Sequence, residues 1–340
     1  MISWFRSFLL ILILSILLVS QPAIVTGAEQ QTSKPVTLKV FLAPFLSFGP
    51  YFIAEEEGFF AEQGFQIEFV RVSEAMAVQA MARGEIDVWG GIYTAGYLNA
   101  IRRGANIRVV AEKGHFAPAG CPSFGLIARK DIAESAKLAD QQLMRGRRFD
   151  VKIRSFEEYF LDKLLSQVGL KPDEIEKIVV PPPAQMDALA KRRIDFMVTT
   201  EPWLTRIIRA GHGVLWKRVQ DVIPGFDYAF VRYGPSFLEK NPEAGRRFMV
   251  AYLKGVRQYN QGKTARNLEI MSKHTRLDKD LLSAACWPQI RNDGQINPQS
   301  KLDFQDWALA TGLLDNKMPI ENMWDPRFVE YANRVLKSGQ

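Results

Sequence analysis

Cysteine and histidine are scarce in this chain of 340 residues, which contains two cysteines and three histidines. Two cysteines cannot build a disulfide-dense scaffold, and three histidines are too few for most metal sites. The sequence also lacks a glycine-rich loop of the nucleotide-binding type, and no nucleophile can be paired with a histidine and an acid. We therefore expect no metal, no cofactor and no catalytic residue, and we predict that the protein is not an enzyme.

Long hydrophobic runs are absent after the N-terminal region. The hydrophobic fraction is 47% and the charged fraction is 24%, as in ordinary folded proteins. These values exclude a disordered chain and a membrane protein with many spans, and the length suggests about two domains. Lys and Arg number 44 against 37 for Asp and Glu, and the resulting net charge of +7 raises nucleic acid or acidic lipid as partners.

The first 28 residues have the three-part layout of a secretory signal. Arg6 precedes an apolar run over Phe8–Val19, and the small residues Thr26 and Ala28 occupy the expected cleavage point. The run is shorter than the roughly 20 residues that span a bilayer, although an uncleaved anchor that starts near Trp4 is an alternative. No cysteine follows the run, so we do not expect a lipoprotein. We predict cleavage after residue 28 and export, which makes nucleic acid an unexpected partner.

Strand and helix patterns alternate along most of the remaining chain. Strands are predicted over residues 36–41, 66–72, 86–89, 107–111, 124–128, 178–180, 196–199 and 228–231, with helices between them. After Pro235 the pattern becomes mostly helical, over residues 243–261, 265–273, 278–286, 298–311 and 326–336. We expect Gly90 and Gly91 to end the strand over 86–89. This alternation predicts an α/β fold with parallel sheets and right-handed crossovers.

One pattern occurs twice, as QAMARGEIDVW over 79–89 and as DALAKRRIDFM over 187–197. Each copy reads as an amphipathic helix, a basic turn and an Ile-Asp strand. The separation is too long for a solenoid, so the pattern indicates two similar α/β lobes, unless the likeness is coincidental. Asp87 in the first copy is expected to tether a turn.

Five segments carry a resemblance to a known family. They are GPYFIAEEEGFFAEQGFQIEFV (49–70), QAMARGEIDVWGG (79–91), LLSQVGLKPDEIEKIVV (164–180), DALAKRRIDFMVTTEPW (187–203) and FLEKNPEAGRRFMVAYLKG (237–255). In order and spacing they resemble the periplasmic substrate-binding proteins of ABC importers, in the NMT1-like branch that handles nitrate, sulfonates, taurine and thiamine-precursor pyrimidines. The helical tail is similar too. The resemblance specifies the fold and the family but not the ligand.

The resemblance implies a two-lobed periplasmic-binding-protein fold, type II-like, with parallel-sheet lobes, two crossing segments and a helical C-terminal tail. We expect crossings near 124–131 and 221–228, lobe one over 36–130 with 222–340, and lobe two over 131–221. The implied function is capture of a small organic molecule, sulfonate- or taurine-like or pyrimidine-like, in the cleft between the lobes. Hinge closure would then deliver it to an ABC permease in the inner membrane, from a monomer in the periplasm.

Candidate ligand-binding residues in lobe one follow from topology, because the loops after parallel strands line the cleft in such folds. Ser47 and Tyr51 follow the first strand, and Trp89 ends the Ile-Asp strand. Tyr93 and Thr94 come next, where Thr94 offers a hydroxyl beside the free N–H groups of a helix. Tyr51 and Trp89 are equally compatible with core positions.

Candidate residues in lobe two carry charge. Arg154 and Ser155 stand where a strand meets a helix N-terminus and suit a carboxylate, sulfonate or phosphate; the alternative is a capping Ser155 and a solvated Arg154. Glu201 and Trp203 follow the second Ile-Asp strand, where an acid suits an amine and an indole stacks on a flat ring. Related proteins carry Glu-Pro-Trp widely, so this motif is also compatible with a structural role. A zwitterionic or pyrimidine-like ligand would suit both the cation at Arg154 and the acid at Glu201, and an apolar organic acid is tolerated.

Two other functions are compatible with this fold. One is a ligand-sensing module that feeds a membrane receptor. The other is an enzyme similar to those that make the thiamine pyrimidine, whose cysteine-rich motif is missing from this sequence. Cys121 and Cys286 are far apart in the chain, and although export permits a disulfide, we expect none.

Overall fold

The computed structural model describes residues 34–338 except 44 and 136–138. The predicted signal over residues 1–28 therefore lies outside the described residues. Across the described part, helices fall short of the length and apolar character that a membrane crossing requires.

The strands form two five-stranded sheets. In chain order they are β1 (Val36–Phe41), β2 (Phe65–Val70), β3 (Val88–Ile92), β4 (Arg108–His115), β5 (Phe124–Arg129), β6 (Arg148–Asp150), β7 (Glu176–Ile178), β8 (Phe196–Thr200), β9 (Gly213–Arg218) and β10 (Asp227–Tyr233). The first sheet has the order β2-β1-β3-β10-β4, and the second has the order β7-β6-β8-β5-β9. The mixed α/β class with two sheets is thus confirmed.

Helices surround both sheets and dominate the last third of the chain. They are α1 (Gly49–Glu56), α2 (Phe59–Glu62), α3 (Glu74–Ala82), α4 (Ala95–Arg102), α5 (Lys130–Glu134), α6 (Asp140–Met144), α7 (Phe156–Gln167), α8 (Pro182–Ala190), α9 (Trp203–Arg209), α10 (Val219–Val222), α11 (Pro242–Tyr259), α12 (Ala265–Thr275), α13 (Lys279–Ala284), α14 (Pro298–Ala310) and α15 (Arg327–Ser338). The predicted helical C-terminal region is confirmed. Local periodicity and capping residues were enough to predict it.

The two sheets share one topology. In each, a central strand pairs in parallel with two neighbours, β1 with β2 and β3, and β6 with β7 and β8. The strands β10 and β5 then pair antiparallel with two neighbours each, so both sheets are mixed, whereas parallel sheets were predicted. The repeated sequence pattern forms α3–β3 in one sheet and α8–β8 in the other. The repeat therefore reflects two similar units.

The chain passes between the sheets twice, over residues 116–123 and over residues 219–226. Strand β5 belongs to the second sheet although its residues fall at the end of the first predicted lobe. The division into lobes over 36–130 with 222–340 and over 131–221 stays a prediction.

Strand β3 does not end at Gly90, contrary to expectation. It runs through Gly90 and Gly91 to Ile92, because these residues pair with Val231, Phe230 and Ala229 of β10. Glycine is required at position 90 because there is no room for a side chain. A Cβ at position 90 would approach the Lys113 side chain to 2.7 Å.

Cys121 and Cys286 form a disulfide, with their Cα atoms 5.8 Å apart. The expectation of no bridge is therefore wrong. Sequence separation carries no information about spatial distance once the chain passes between sheets and returns. The disulfide joins the first crossing to the loop after α13.

Candidate ligand-binding cavity

A cavity of about 640 Å³ lies between the two sheets. Its walls come from the loops that follow β1, β2, β6 and β7, together with residues of β3, β4, β5, β8 and β10. The carboxyl ends of parallel strands thus face the cavity from both sheets, as the topological argument predicted. Its volume lies within the range of small-molecule sites, about 300–1,000 Å³.

Aromatic rings form much of the cavity wall. They belong to Phe41, Phe45, Phe48, Phe124 and Tyr228. Ring centroids are 6.1 Å apart for Phe41 and Phe48 and 5.6 Å apart for Phe124 and Tyr228, both within contact range for aromatic pairs. Rings held against one another keep few rotamers, so the wall is a rigid apolar surface.

Lys113 on β4 is the buried cation of this cavity, with 1% of its surface exposed. Its Nζ donates a hydrogen bond to the Ser47 hydroxyl at 2.6 Å and lies 3.9 Å from the centroid of the Phe48 ring. Within the described residues Lys113 forms no ion pair with a carboxylate. Burial, together with the positive charge of Arg232, holds the pKa of Lys113 well below its ordinary value.

A second buried cation, Arg232 on β10, stands behind this wall. Its guanidinium donates to the carbonyl oxygens of Gly91 and Ile92, at 3.0 Å and 2.9 Å, and lies 4.4 Å from the Trp89 ring centroid. Gly91 and Ile92 themselves line the cavity. Among the described ion pairs none involves Arg232, so its charge adds to the positive field at Lys113.

The opposite wall carries carboxylates that protein groups already engage. Asp150 accepts hydrogen bonds from the Val180 N–H and the Gln185 amide, both at 2.8 Å. Glu157 accepts one from the Lys152 N–H at 3.0 Å. Burial raises the pKa of Asp150 to about 6 and that of Glu157 to about 7.

An ion pair between Glu74 and Lys152 closes one side of the cavity. Glu74 begins α3 beside the first sheet, whereas Lys152 follows β6 of the second, so the pair joins the two sheets. Both residues line the cavity. Burial lowers the pKa of Lys152, although nearby Glu157 acts in the opposite sense.

Of the predicted lobe-one residues, Ser47 lines the cavity and holds the Lys113 ammonium. Tyr51, Trp89 and Tyr93 are fully buried outside the lining, in the packed core. Tyr51 packs against aromatic neighbours, Trp89 against Arg232, and the Tyr93 hydroxyl accepts a hydrogen bond from Lys301 at 2.6 Å. The structure favours the core alternative for Tyr51 and Trp89.

Thr94, Arg154 and Ser155 are brought together, but by their backbones and outside the cavity lining. Thr94 and Ser155 form an isolated bridge, and the Ala95 N–H donates to the Arg154 carbonyl at 2.9 Å. The Thr94 and Ser155 hydroxyls accept hydrogen bonds from the first turns of α4 and α7. Arg154 is exposed. These contacts join the two sheets beside the cavity, and they match the capping alternative for Ser155.

Glu201 and Trp203 also lie outside the cavity lining. Glu201 is buried, and its carboxylate accepts hydrogen bonds from the Thr205 hydroxyl at 2.7 Å, the Thr205 N–H at 3.1 Å and the Cys286 N–H at 3.0 Å. The Arg206 guanidinium lies over the Trp203 ring, 5.1 Å from its centroid. The Glu-Pro-Trp motif here organises the start of α9.

Sequence reasoning missed Lys113, Asp150 and Glu157. The prediction ended the fourth strand at residue 111, whereas β4 continues through Glu112 and Lys113 to His115. The available signal in the sequence was the adjacent charged pair Glu112 and Lys113, which continues an apolar strand. Asp150 and Glu157 flank the predicted pair Arg154 and Ser155, so the right loop was chosen without the right side chains.

Metal ligation finds little support in this arrangement. Within residues 34–338, apart from the undescribed positions, no group of three or more His, Cys, Asp or Glu side chains is placed to hold a metal ion. The cavity instead combines an apolar body with one buried cation and two engaged carboxylates. Such a site suits an organic molecule.

The described residues thus form two five-stranded α/β sheets with a cavity at their facing strand ends. The chain belongs to the NMT1-like family, whose pattern matches residues 31–272. No curated protein matches the sequence.

Solved structures share this fold at low sequence identity. The ligand-binding component of an ABC-type import system from Staphylococcus aureus, with zinc bound, has a TM-score of 0.74 and 18% identity, covering 88% of this chain and 99% of that chain. The alkanesulfonate-binding protein SsuA from Xanthomonas axonopodis pv. citri, bound to MOPS, has a TM-score of 0.68 and 15% identity, covering 86% and 99%. The desulfurization enzyme DSZB has a TM-score of 0.65 and 12% identity, covering 90% and 100%.

Proposed function

We propose that this protein is an extracytoplasmic solute-binding protein, which captures a small organic molecule between its sheets and delivers it to an ABC permease. The observation that carries the proposal is the cavity of about 640 Å³ at the facing carboxyl ends of the strands. Its aromatic walls and few polar groups are typical of small-molecule sites. The import components among the similar structures support the same role.

Capture requires the cavity to open and close. We propose that the two lobes, each built around one sheet, rotate about residues 116–123 and 219–226, so that β5 moves with the second sheet. The Glu74–Lys152 ion pair and the Thr94–Ser155 bridge join the sheets beside the cavity, so they belong to the closed form. A monomer in the periplasm would then present a closed surface to its permease.

Two ligand classes remain the candidates of this proposal, a sulfonate- or taurine-like molecule and a pyrimidine-like molecule. Ser47 is the predicted residue that keeps a place in the proposed site. Because Tyr51, Trp89, Tyr93, Thr94, Arg154, Ser155, Glu201 and Trp203 lie outside the lining, we propose that they hold the walls and the inter-sheet contacts.

A catalytic role is the competing function, since a desulfurization enzyme shares the fold. Binding is favoured because the sequence lacks the cysteine-rich motif of the thiamine-pyrimidine enzymes, and because Cys121 and Cys286 are joined in a disulfide. We propose that the protein is not an enzyme. Turnover of a recovered solute would contradict this, whereas its release unchanged supports binding.

The decisive experiment identifies the solute directly. Protein purified without denaturation is analysed by native mass spectrometry, which should show one small organic molecule per chain. Ala75→Trp, which places an indole at the cavity wall, should abolish the bound species, and Ala61→Trp on α2 is the matched surface control. Retention of the same solute by Ala75→Trp would show that it binds elsewhere. Gene neighbourhood, a permease or a receptor, separates transport from sensing.

A further inference from the structure

We infer that Lys113 makes the cavity selective for the charge of its solute, and that the cavity binds an organic anion with a flat apolar body. This inference rests on the proposed solute-binding function. It names the chemical class of the solute and the residue that selects it.

The first ground is the state of the Lys113 ammonium. An ammonium group has three donors, and the Ser47 hydroxyl accepts one of them. The Phe48 ring beneath Nζ offers a weak attraction and no hydrogen-bond acceptor. A buried charge without a counterion is costly, so Lys113 carries its full charge and finds its full set of acceptors only when an anion enters the cavity.

The second ground is the asymmetry between the two walls. Behind Lys113 stands Arg232, which also lacks a carboxylate among its described contacts and donates to the carbonyls of Gly91 and Ile92. On the opposite wall both Asp150 oxygens already accept hydrogen bonds from the protein, and Glu157 lies close to Lys152. Among the described residues the carboxylates therefore have hydrogen-bond donors, whereas Lys113 has one acceptor for its three donors.

The third ground is the shape of the remaining wall. The rings of Phe41, Phe45, Phe48, Phe124 and Tyr228 surround the space next to Lys113. Aromatic walls favour a flat apolar body, because they gain dispersion and stacking and lose no hydrogen bonds on contact. An inorganic anion would leave these rings facing water.

Anion capture should draw a proton onto Lys113. In the empty cavity burial and Arg232 favour the neutral amine, and neighbouring Glu112 opposes this only in part. An entering carboxylate or sulfonate favours the ammonium, so one proton moves from solvent to Nζ as the pair forms. Affinity should then fall as pH rises, over the interval between the pKa of the empty site and the higher pKa of the occupied site.

The carboxyl groups facing the cavity could give a pH dependence of the same sign. Asp150 and Glu157 lie on the wall formed by the second sheet, and protonation of either would also favour an anion; Glu74 is engaged in its ion pair with Lys152. A Glu157→Gln variant separates these sources, because it removes the carboxyl with the higher pKa and leaves Lys113 in place.

The test uses a matched naphthalene series with one body and four head groups: 2-carboxylate, 2-sulfonate, 2-carboxamide and 2-methylammonium. Isothermal titration calorimetry at several pH values between about 6 and 10, in two buffers of different ionisation enthalpy, measures affinity and proton uptake. We expect an anion of this series to bind at least tenfold more tightly than the amide and the ammonium, with proton uptake that Glu157→Gln retains.

Lys113→Met should abolish the proton uptake and the preference for the anion while binding of the carboxamide persists. Lys191→Met, on the exposed end of α8, is the control and should behave as the parent. Equal binding of amide and anion, tighter binding of the ammonium, or no binding by any member overturns the inference. Because native mass spectrometry tests solute binding separately, a recovered neutral solute would overturn this inference and leave the proposed function standing.

Discussion

The Glu201 carboxylate accepts a hydrogen bond from the backbone N–H of Cys286 at 3.0 Å, and Cys286 is itself bonded to Cys121. A residue of the second sheet, the first crossing and the C-terminal helical region therefore meet at one point. The Glu-Pro-Trp motif, which the sequence offered as a ligand contact, acts here as a structural junction.

Replacing Glu201 should weaken the fold and leave the cavity unchanged. Glu201→Ala removes the acceptor of three hydrogen bonds and leaves the Cys286 N–H buried without a partner. We expect the free energy of unfolding to fall by about 2–3 kcal/mol, measured by urea denaturation. Glu330→Ala on the exposed face of α15 is the control. A loss of solute affinity without a loss of stability would return Glu201 to the binding site.

The disulfide should contribute strongly to stability, because it closes a loop of 165 residues in sequence separation. We expect Cys121→Ser with Cys286→Ser to lower the free energy of unfolding by about 2–5 kcal/mol. Reducing agent should shift the melting temperature of the parent towards that of the double variant. The double variant itself should not respond to reductant; an equal response in both would show that the agent acts elsewhere.

The aspartates of the repeated pattern form a matched pair with different surroundings. Asp87 accepts a hydrogen bond from the Lys39 N–H on β1, which confirms the expected tether, and Asp195 accepts one from the Arg148 N–H on β6. Asp195 also contacts the guanidinium groups of Arg129 and Arg148. A comparison of the two positions therefore separates the contribution of the backbone hydrogen bond from that of the ion pairs with arginine.

Asparagine substitutions at these positions should differ in cost. Asp195→Asn should lower the free energy of unfolding at pH 7 by about 2–3 kcal/mol, and Asp87→Asn by about 1 kcal/mol. Equal costs, measured by urea denaturation, would show that the arginines contribute nothing.

The contribution of Asp195 should also depend on pH. Burial alone would raise its pKa, but the hydrogen bonds from Arg148 and Arg129 outweigh burial and lower the pKa below the ordinary 3.8. A depressed pKa in the folded state stabilises the protein above the pKa of the unfolded state, and this is lost as pH falls through the folded value. The difference in stability between parent and Asp195→Asn should therefore shrink below about pH 4. A constant difference from pH 7 to pH 2 would contradict the lowered pKa.

The Glu74–Lys152 ion pair should favour the closed cavity. Both side chains are partly exposed, at 22% and 41%, so the pair contributes modestly, about 0.4–1 kcal/mol. Glu74→Gln should weaken binding of the recovered solute about two- to fivefold at low ionic strength, and this effect should fade at about 1 M salt. Glu62→Gln, which breaks the Glu62–Lys254 pair between α2 and α11, is the control. The exchanged pair Glu74→Lys with Lys152→Glu should recover part of the affinity; no recovery would assign the effect to cavity shape.

Several features of the fold could be predicted because they depend on neighbouring residues in the chain. The alternation over residues 36–41 gave β1 with its observed bounds. Ser155 marked the start of α7, where its hydroxyl accepts a hydrogen bond from the first turn. The cavity at the carboxyl ends of the strands was predicted from the family resemblance together with the topology.

The side chains that face the cavity could not be chosen in the same way. The cavity lies at the ends of the strands, so an error of a few residues in where a strand ends changes which side chains are placed at its wall. This error ended one strand at Gly90 and another at residue 111, and it concealed Lys113. Tyr93 lies in the loop that was predicted, but its side chain is in the core, where its hydroxyl accepts a hydrogen bond from Lys301.

By itself the sequence determined most of the elements, their order and the family, because periodicity, caps and motif spacing are properties of the chain; β9 was not predicted. Tertiary structure alone decided that Cys121 meets Cys286, that Glu201 joins them, and that Lys113 lies buried without a carboxylate beside aromatic rings. These relations depend on how two sheets and two crossings bring distant segments together, and free energies of burial and charge are set by that assembled environment.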